Sequence, residues 1–114
     1  MIVDIKRVKI FVTTPKENWT DIRDAVCKAG AGTIGKYSFC TFSCNGVGTF
    51  KPDLNANPYI GEINKLEFVD ECKSEFVCEI EKVAEAISTL RKVHPYEGPA
   101  IDIIPLIQEI DFKI

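Results

Sequence analysis

Two segments with helical periodicity, each preceded by residues with strand character, constrain the fold of this chain most strongly. In both segments apolar residues recur three or four positions apart, which places them on one face of a helix. These residues are Trp19, Ile22, Val26 and Ala29 in the first segment, and Val83, Ala84, Ile87 and Leu90 in the second, from about 81 to 93. Each helix therefore has one face to bury.

The helix ends carry their own signals. Thr14-Pro15-Lys16-Glu17 has the pattern of a capping box, with Thr14 as the N-cap, Pro15 at the first helical position and Glu17 three residues after the cap. Gly30 is expected to end the first helix and Pro95 the second.

Runs of β-branched and aromatic residues predict four strands. They lie at 8–13, 36–44, 65–78 and 100–104. The third is expected to bend or bulge near Asp70. Residues 45–48 (Asn-Gly-Val-Gly) predict a turn or loop, after which 49–50 resume pairing. Residues 52–61 predict an ordered excursion, and the tail 106–114 a helical turn or an added edge strand.

The resulting order, β-α-β-β-α-β, indicates an α+β protein with a ferredoxin-like fold, in which two helices cover one face of a four-stranded antiparallel sheet. The 114 residues fit a single domain, and 46% hydrophobic with 27% charged residues is typical of a globular protein. Apolar residues occur at both the odd and the even positions of the strands, and these positions face opposite sides of the sheet. The second sheet face is therefore expected to be apolar and buried in a homo-oligomer.

The net charge and the cysteines limit which binding partners and which cellular compartment are expected. Fourteen Lys and Arg against 17 Asp and Glu give a net charge of −3, which argues against nucleic acid as the main partner. No apolar run approaches the roughly 20 residues of a membrane helix, and residues 1–7 lack the apolar core of a signal peptide. The five cysteines are expected to be reduced thiols, so a cytoplasmic protein is predicted.

Metal binding by the cysteines is disfavoured by their spacing. Cys40 and Cys44 would lie about 13 Å apart on one strand, whereas sulfurs bound to one zinc ion lie about 4 Å apart. The same objection applies to Cys72 and Cys78. Whether one thiol meets His94 across the sheet stays open at this point.

The tetrapeptide His94-Pro95-Tyr96-Glu97 contains the single histidine of the chain. His94 and Glu97 are candidates to share a divalent cation or a small ligand, or to act as an acid–base pair. The alternative is a rigid corner between helix and strand.

The run 30–35 matches GxGxxG, but it follows a helix and precedes a strand, whereas a dinucleotide-binding run follows a strand and precedes a helix. No set of nucleophile, base and oxyanion donors is readable, so an enzyme is not expected.

Several motifs resemble the YqfO-type domain, an insert in many bacterial members of the NGG-interacting-factor-three family that also occurs as a free-standing protein. They are Gly30-x-Gly32-x-Ile34-Gly35-x-Tyr37-x-x-Cys40-x-Phe42, Gly46-x-Gly48-x-Phe50-x-Pro52, Asn57-Pro58-x-Ile60-Gly61, and His94-Pro95-Tyr96-Glu97-x-Pro99-Ala100-x-Asp102 with Pro105-Leu106. The resemblance covers 8–106 of a single domain 1–114, and the tail 107–114 lies outside it. The His-Pro-Tyr-Glu corner is also similar to that of CutA, the divalent-cation tolerance protein.

The resemblance implies a CutA/PII-like fold and assembly into trimers. In the long family members a metal pair is held by flanking halves that this sequence does not contain, so neither that site nor a hydrolase activity is carried over. Gly98 stands where relatives often have a second acid, which weakens the case for a cation site of carboxylates.

Together these features predict a non-catalytic, homo-oligomeric CutA/PII-like domain with a regulatory or ligand-sensing role at clefts between subunits. Backbone N–H groups in a loop at 46–48 are expected to offer a nest to an anion. The candidate ligand-binding residues are Tyr37, Gly46, Gly48, His94 and Glu97. One alternative is a binding protein for a divalent or transition metal ion, using His94 with Glu97 or a thiol. Another is a module that docks on a larger protein.

Overall fold

The computed structural model describes residues 2–112 as one four-stranded antiparallel sheet with two α-helices. Its elements are β1 (Arg7–Pro15), α1 (Trp19–Lys28), β2 (Phe42–Phe50), β3 (Glu67–Glu79), α2 (Val83–Val93) and β4 (Ile101–Pro105). The strands lie in the order β2-β3-β1-β4, so β1 and β3 are central and the other two are edges. The predicted β-α-β-β-α-β arrangement is confirmed.

The core lies between the two helices and one face of the sheet. In β1 every second residue is buried, and the corresponding residues of β3 are buried with them. The cluster comprises Val8, Ile10, Val12, Cys72, Phe76 and Cys78 from the strands, Trp19, Ile22, Val26, Cys27, Ala86 and Leu90 from the helices, and Ala31 from the segment after α1. Burying one large aliphatic side chain contributes roughly 1.5–3 kcal/mol, so this face is the main source of stability.

The predicted capping box before α1 is wrong. Thr14 and Pro15 are the last residues of β1, and one turn of 3₁₀ helix, Lys16–Asn18, precedes α1. Thr14 pairs with Cys72 of β3, and a residue before proline is driven toward extended backbone. Its side chain is buried, and Oγ1 has no hydrogen-bond partner within residues 2–112.

The ends of the helices follow the sequence more closely. Gly30 has φ +108°, the left-handed region that favours glycine, directly after the Ala29 C-cap of α1. Extended backbone at His94, before Pro95, ends α2. The predicted apolar stripe of α2 needs one correction, because Ala86 is buried and Ala84 is exposed.

The second strand differs most from its prediction. It begins at Phe42 rather than at 36 and continues through 45–48, the residues predicted as a turn. There it pairs without a break with Cys72 to Val69 of β3. An edge strand tolerates two glycines because its pairing with one neighbour supplies its order. Of the bend or bulge predicted in β3 near Asp70, the bulge is absent, because the pairing continues there without an extra residue.

The face of the sheet opposite the helices, called the open face below, was predicted to be apolar but carries charged side chains as well. Ion pairs cross it between strands, Arg7–Glu79 at 2.8 Å and Lys9–Glu75 at 3.3 Å. Lys73 Nζ lies 5.5 Å from the centre of the Phe11 ring. Exposed apolar side chains, Phe42 and Ile104 among them, lie on the edge strands β2 and β4.

The remaining segments are connections. Residues 52–61 contain no strand, as predicted, and a 2.6 Å hydrogen bond from the Asn64 N–H to the Pro52 carbonyl closes this loop. The tail forms a 3₁₀ turn at Glu109–Phe112, while 113–114 of the predicted tail lie outside the described residues. No helix between 2 and 112 has the length and apolar character needed to cross a membrane.

Candidate functional site

The corner that follows α2 is built on His94, which is only 6% exposed. Its Nε2 lies 2.7 Å from the carbonyl oxygen of Thr13, and the N–H of Tyr96 donates to Nδ1 at 3.1 Å. Nε2 therefore carries the proton and donates, so the ring is the neutral tautomer. Burial lowers the pKa of His94, and this outweighs the opposite effect of the hydrogen bond to Thr13. Both ring nitrogens are occupied, which leaves neither for a metal ion.

Tyr96 projects from this corner over the end of the open face. Its hydroxyl donates a 2.9 Å hydrogen bond to Glu71 Oε2 on β3. Its ring centre lies 5.0 Å from that of His94, 5.8 Å from Phe50 and 6.4 Å from Tyr59. Burial, followed by the bond to Glu71, raises the pKa of Tyr96, so the phenol stays protonated and acts as a donor.

Glu71 explains why position 48 is glycine. The Glu71 side chain lies over Gly48 of β2, and its carboxylate occupies the place that a side chain at 48 would take. A glycine in a strand commonly marks such a close approach. Gly48 thus leaves room for the Glu71 carboxylate that accepts the hydrogen bond of Tyr96.

Glu97 ties the corner to the loop between β2 and β3. Its Oε1 accepts a 2.8 Å hydrogen bond from the backbone N–H of Asn57. His94 and Glu97 therefore contact different partners, one inside the fold and one at the surface.

A pocket of about 320 Å³ lies between the corner, the loop and the open face of the sheet. Its aromatic walls are Phe50, Tyr59 and Tyr96, and its charged groups are the carboxylates of Glu71 and Glu97 and the amine of Lys51. Thr13 and Gly98 close further parts of the wall. An apolar hollow with a few polar groups is the usual form of a small-molecule site.

The structure brings together only part of the predicted ligand-binding set. Glu97 lines the pocket, and His94 lies behind Tyr96 as its support. Gly48 lies beneath Glu71, outside the lining. Gly46 and Tyr37 are elsewhere: Gly46 has open space at its side-chain position, and Tyr37 is 75% exposed beside Ile34. Because 46–48 is extended and paired with β3, the predicted loop nest for an anion is wrong.

Sequence reasoning missed Glu71, Phe50 and Tyr59. Glu71 lies in a stretch rich in acidic residues, where nothing sets it apart from its neighbours. The available signal was the glycine at position 48, directly before the residues predicted to resume pairing, since a glycine in a strand can mark an approaching group. Tyr59 lies in the loop, and only the three-dimensional path of that loop places it beside Tyr96.

The cysteines do not gather with other metal ligands. Cys27, Cys72 and Cys78 are buried, Cys40 is half-buried and Cys44 is exposed, all as free thiols. Burial raises the pKa of Cys27 and of Cys78, so both favour the neutral thiol. Over the part of the chain that the structure describes, no three His, Cys, Asp or Glu side chains form a group that could hold a metal ion.

Comparison with solved structures defines the class of protein. The periplasmic divalent cation tolerance protein CutA from Archaeoglobus fulgidus has a TM-score of 0.65 at 20% identity, over 90% of this chain and 85% of that one. The Bacillus subtilis GlnK–ATP complex has a TM-score of 0.61 at 13% identity, over 92% and 85%. The chain therefore has the CutA/PII-like form of the ferredoxin-like fold, as predicted.

Closer relatives identify the domain within that class. Proteins named GTP cyclohydrolase 1 type 2 homolog are 44% identical over 101 residues in Halalkalibacterium halodurans and 45% identical over 100 residues in Bacillus subtilis. A Bacillus cereus protein related to NIF3 has a TM-score of 0.78 at 34% identity, over 94% of this chain and 27% of its own. The predicted resemblance to the YqfO-type domain is confirmed. The chain spans about a quarter (27%) of the length of the curated relatives it matches. No protein-family model matches the chain.

Proposed function

We propose that this chain is a non-catalytic, homo-oligomeric domain that binds a small molecule in the pocket beside Tyr96 and transmits its occupancy to the fold. The observation that carries the proposal is the way the pocket is assembled. Its walls come from the end of β2, the loop 52–61 and the corner after α2. The Tyr96–Glu71 hydrogen bond joins the corner to β3, beside Gly48 of β2, and the Glu97–Asn57 hydrogen bond joins the corner to the loop. A ligand that competes for either bond changes how the loop sits on the sheet, which is a basis for sensing.

The chemistry of the pocket supports binding rather than catalysis. Tyr96 has a raised pKa and an engaged hydroxyl, so it is a poor general base near neutral pH. The one histidine of the chain is buried behind Tyr96 with both nitrogens bonded. The curated relatives carry the name of a GTP cyclohydrolase homologue, but we extend no such activity to a chain that matches 27% of their length.

Self-association is supported by the edges of the sheet. The edge strand β2 exposes Phe42 and Val47, and the edge strand β4 exposes Ile103 and Ile104. Exposed apolar side chains along unpaired edges favour contact with a second copy. A trimer with ligand sites near subunit contacts is our proposal for the assembly, and the GlnK–ATP complex is a precedent for a ligand on this fold.

The metal-binding alternative is less well supported. Some structural neighbours are named for divalent cation tolerance, but in this chain His94 has no nitrogen left for an ion. Glu97 is bonded to the loop instead. Retained metal that is lost in His94→Ala would support this alternative.

A fragment screen by two-dimensional NMR tests the proposal, using neutral, cationic and anionic compounds against the isotope-labelled protein. We expect binders to shift the amide signals of Phe50, Tyr59 and 96–98, and Tyr59→Ala to abolish these shifts. Tyr59 is 56% exposed, so its truncation should leave the fold intact.

The matched control is Tyr37→Ala, a tyrosine that is 75% exposed and outside the pocket. It should leave the shifts unchanged. Binders that map elsewhere, or that respond to Tyr37→Ala and not to Tyr59→Ala, would contradict the assigned pocket. Sedimentation velocity on the same sample tests the assembly, and a monomer at micromolar concentration would contradict it.

A further inference from the structure

We propose that the ligand of this pocket is a small organic ammonium ion, held by the rings of Phe50, Tyr59 and Tyr96 and by the carboxylates of Glu71 and Glu97. This inference rests on the proposed function, because it names the chemical class of the molecule that the pocket binds.

The three rings form an open aromatic cage. The Tyr96 ring is inclined by 60° to Phe50 at 5.8 Å and by 56° to Tyr59 at 6.4 Å. At these angles and distances the rings contact one another edge to face rather than in parallel stacks, and all three also line the pocket, where a ligand can reach them. The face of an aromatic ring attracts a cation within about 6 Å of its centre, and cages of this kind recognise alkylated ammonium groups.

The carboxylates give the pocket a negative charge. Glu71 uses Oε2 to accept from Tyr96, and Glu97 uses Oε1 to accept from Asn57. Within residues 2–112 neither carboxylate forms an ion pair, and the second oxygen of each makes no hydrogen bond. Glu97 therefore keeps one oxygen for a ligand, whereas Oε1 of Glu71 lies over Gly48 and this carboxylate contributes its charge to the pocket. Glu17 adds to the negative potential, since its charge also raises the pKa of Tyr96.

The same charges disfavour the other ligand classes. Among the described residues that line the pocket, Lys51 is the one basic side chain, against two carboxylates. A phosphate would meet a net repulsive potential, unlike an ammonium group. A neutral ligand would displace water from both carboxylates without supplying a positive charge to offset their desolvation, which is unfavourable. A volume of about 320 Å³ lies near the lower end of the range for small-molecule sites, roughly 300–1,000 Å³.

Choline and its neutral isostere, 3,3-dimethyl-1-butanol, separate charge from shape. In an NMR titration of the full chain at millimolar concentrations, we expect both to reach the pocket and choline to bind about ten-fold more tightly. Equal affinities, or no shift of the Phe50, Tyr59 and Tyr96 signals with choline, would overturn the ammonium assignment.

Charge-removing variants test the residues individually. Glu97→Gln keeps an oxygen to accept from Asn57 but loses its charge, so choline affinity should fall about five-fold while that of the alcohol is unchanged. Lys51→Gln should raise choline affinity. The matched control is Glu62→Gln, a loop glutamate paired with Lys65 outside the pocket, which should have no effect. A loss of choline affinity as large in Glu62→Gln as in Glu97→Gln would overturn the direct contact.

An anionic probe distinguishes the two levels of the proposal. Suppose that adenosine monophosphate or the neutral alcohol binds in the pocket, that Tyr59→Ala abolishes this binding, and that choline does not displace the bound compound. The small-molecule site then stands, and the ammonium assignment fails. If none of the three compounds, and no fragment from the screen, shifts the pocket signals, both proposals fail.

Discussion

Strands β1 and β2 are both nine residues long and lie in the same sheet, yet they are used in different ways. In β1 the residues alternate between half-buried and buried, because it lies between two strands and beneath the helices. In β2 no residue is buried, and it pairs only with β3. The covered strand consists mainly of branched apolar residues on its core face, whereas the uncovered one includes Asn, Cys and two glycines.

The difference separates stability from binding. The helices, β1 and the inner part of β3 form the core. The end of β2, the loop after it and the corner at 94–98 contain the pocket, and they are joined by two side-chain hydrogen bonds and by contacts between partly exposed aromatic rings. Regions with few buried apolar contacts open at low free energy, and binding sites are often drawn from them.

The same substitution made in each strand should give the largest difference in stability between the two regions. Val12→Ala in β1 removes two methyl groups from a fully packed site, so the free energy of unfolding should fall by about 2 kcal/mol. Val47→Ala in β2 alters a side chain that is 66% exposed, so the free energy of unfolding should change by less than about 0.5 kcal/mol. Urea unfolding of both variants measures this. Equal losses would show that β2 is covered in the folded protein.

Removing the hydroxyl of Tyr96 should have an intermediate effect. Tyr96→Phe leaves the ring in place but takes away the hydrogen bond to Glu71, so we expect a loss of about 1 kcal/mol in thermal or urea unfolding. The amide signals of 46–50 should shift, because Glu71 lies over Gly48. Tyr37→Phe, at an exposed site, is the control with no expected change. An unshifted β2 in Tyr96→Phe would contradict the contact.

A smaller effect is expected from pH. The folded protein holds the pKa of His94 below its usual value of about 6.5, so the unfolded chain binds the proton more readily. The neutral His94 ring should therefore make its full contribution to stability above about pH 6.5, and this contribution should decline as the pH falls below that value. His94→Gln, which keeps a donor for Thr13 but does not titrate, should be less stable at every pH and lose this slope. An NMR titration midpoint for His94 above 6.5 would contradict the neutral, buried ring.

Thiol labelling sharpens the comparison without changing stability. Cys44 of β2 is exposed, whereas Cys78 of β3 is buried with a pKa raised by burial. A thiol reagent should modify Cys44 rapidly in the folded protein and Cys78 only after denaturant is added. Cys44→Ser should remove the rapid phase. Labelling of Cys78 at the rate of Cys44 would show that the core opens as easily as the edge.

The sequence predicted the covered region well because packing there imposes a period. The apolar stripe of α1 follows directly from burial on one side, and the β-branched residues of β1 fit a strand that is covered by the helices. Local signals failed where tertiary contacts override them. Thr14 and Pro15 read as a cap but continue a strand through pairing with β3, and 45–48 reads as a turn but is ordered by the same strand.

The site was predictable only in part for the same reason. The corner at 94–97 stands out because one histidine precedes a proline, and Glu97 does line the pocket. The partners of this corner, Glu71 and Tyr59, lie 25 and 37 positions away from Tyr96, on another strand and in a loop without periodicity. Their meeting depends on the register of β3 and the path of the loop, which no local pattern encodes.

A crystal structure of the full chain soaked with choline tests the central claim most directly. The proposed site requires the choline nitrogen to lie within about 6 Å of the ring centres of Tyr59 and Tyr96, with a carboxylate oxygen of Glu97 or Glu71 nearby. A pocket filled by side chains of a neighbouring subunit, or choline bound elsewhere with the pocket empty, would contradict it.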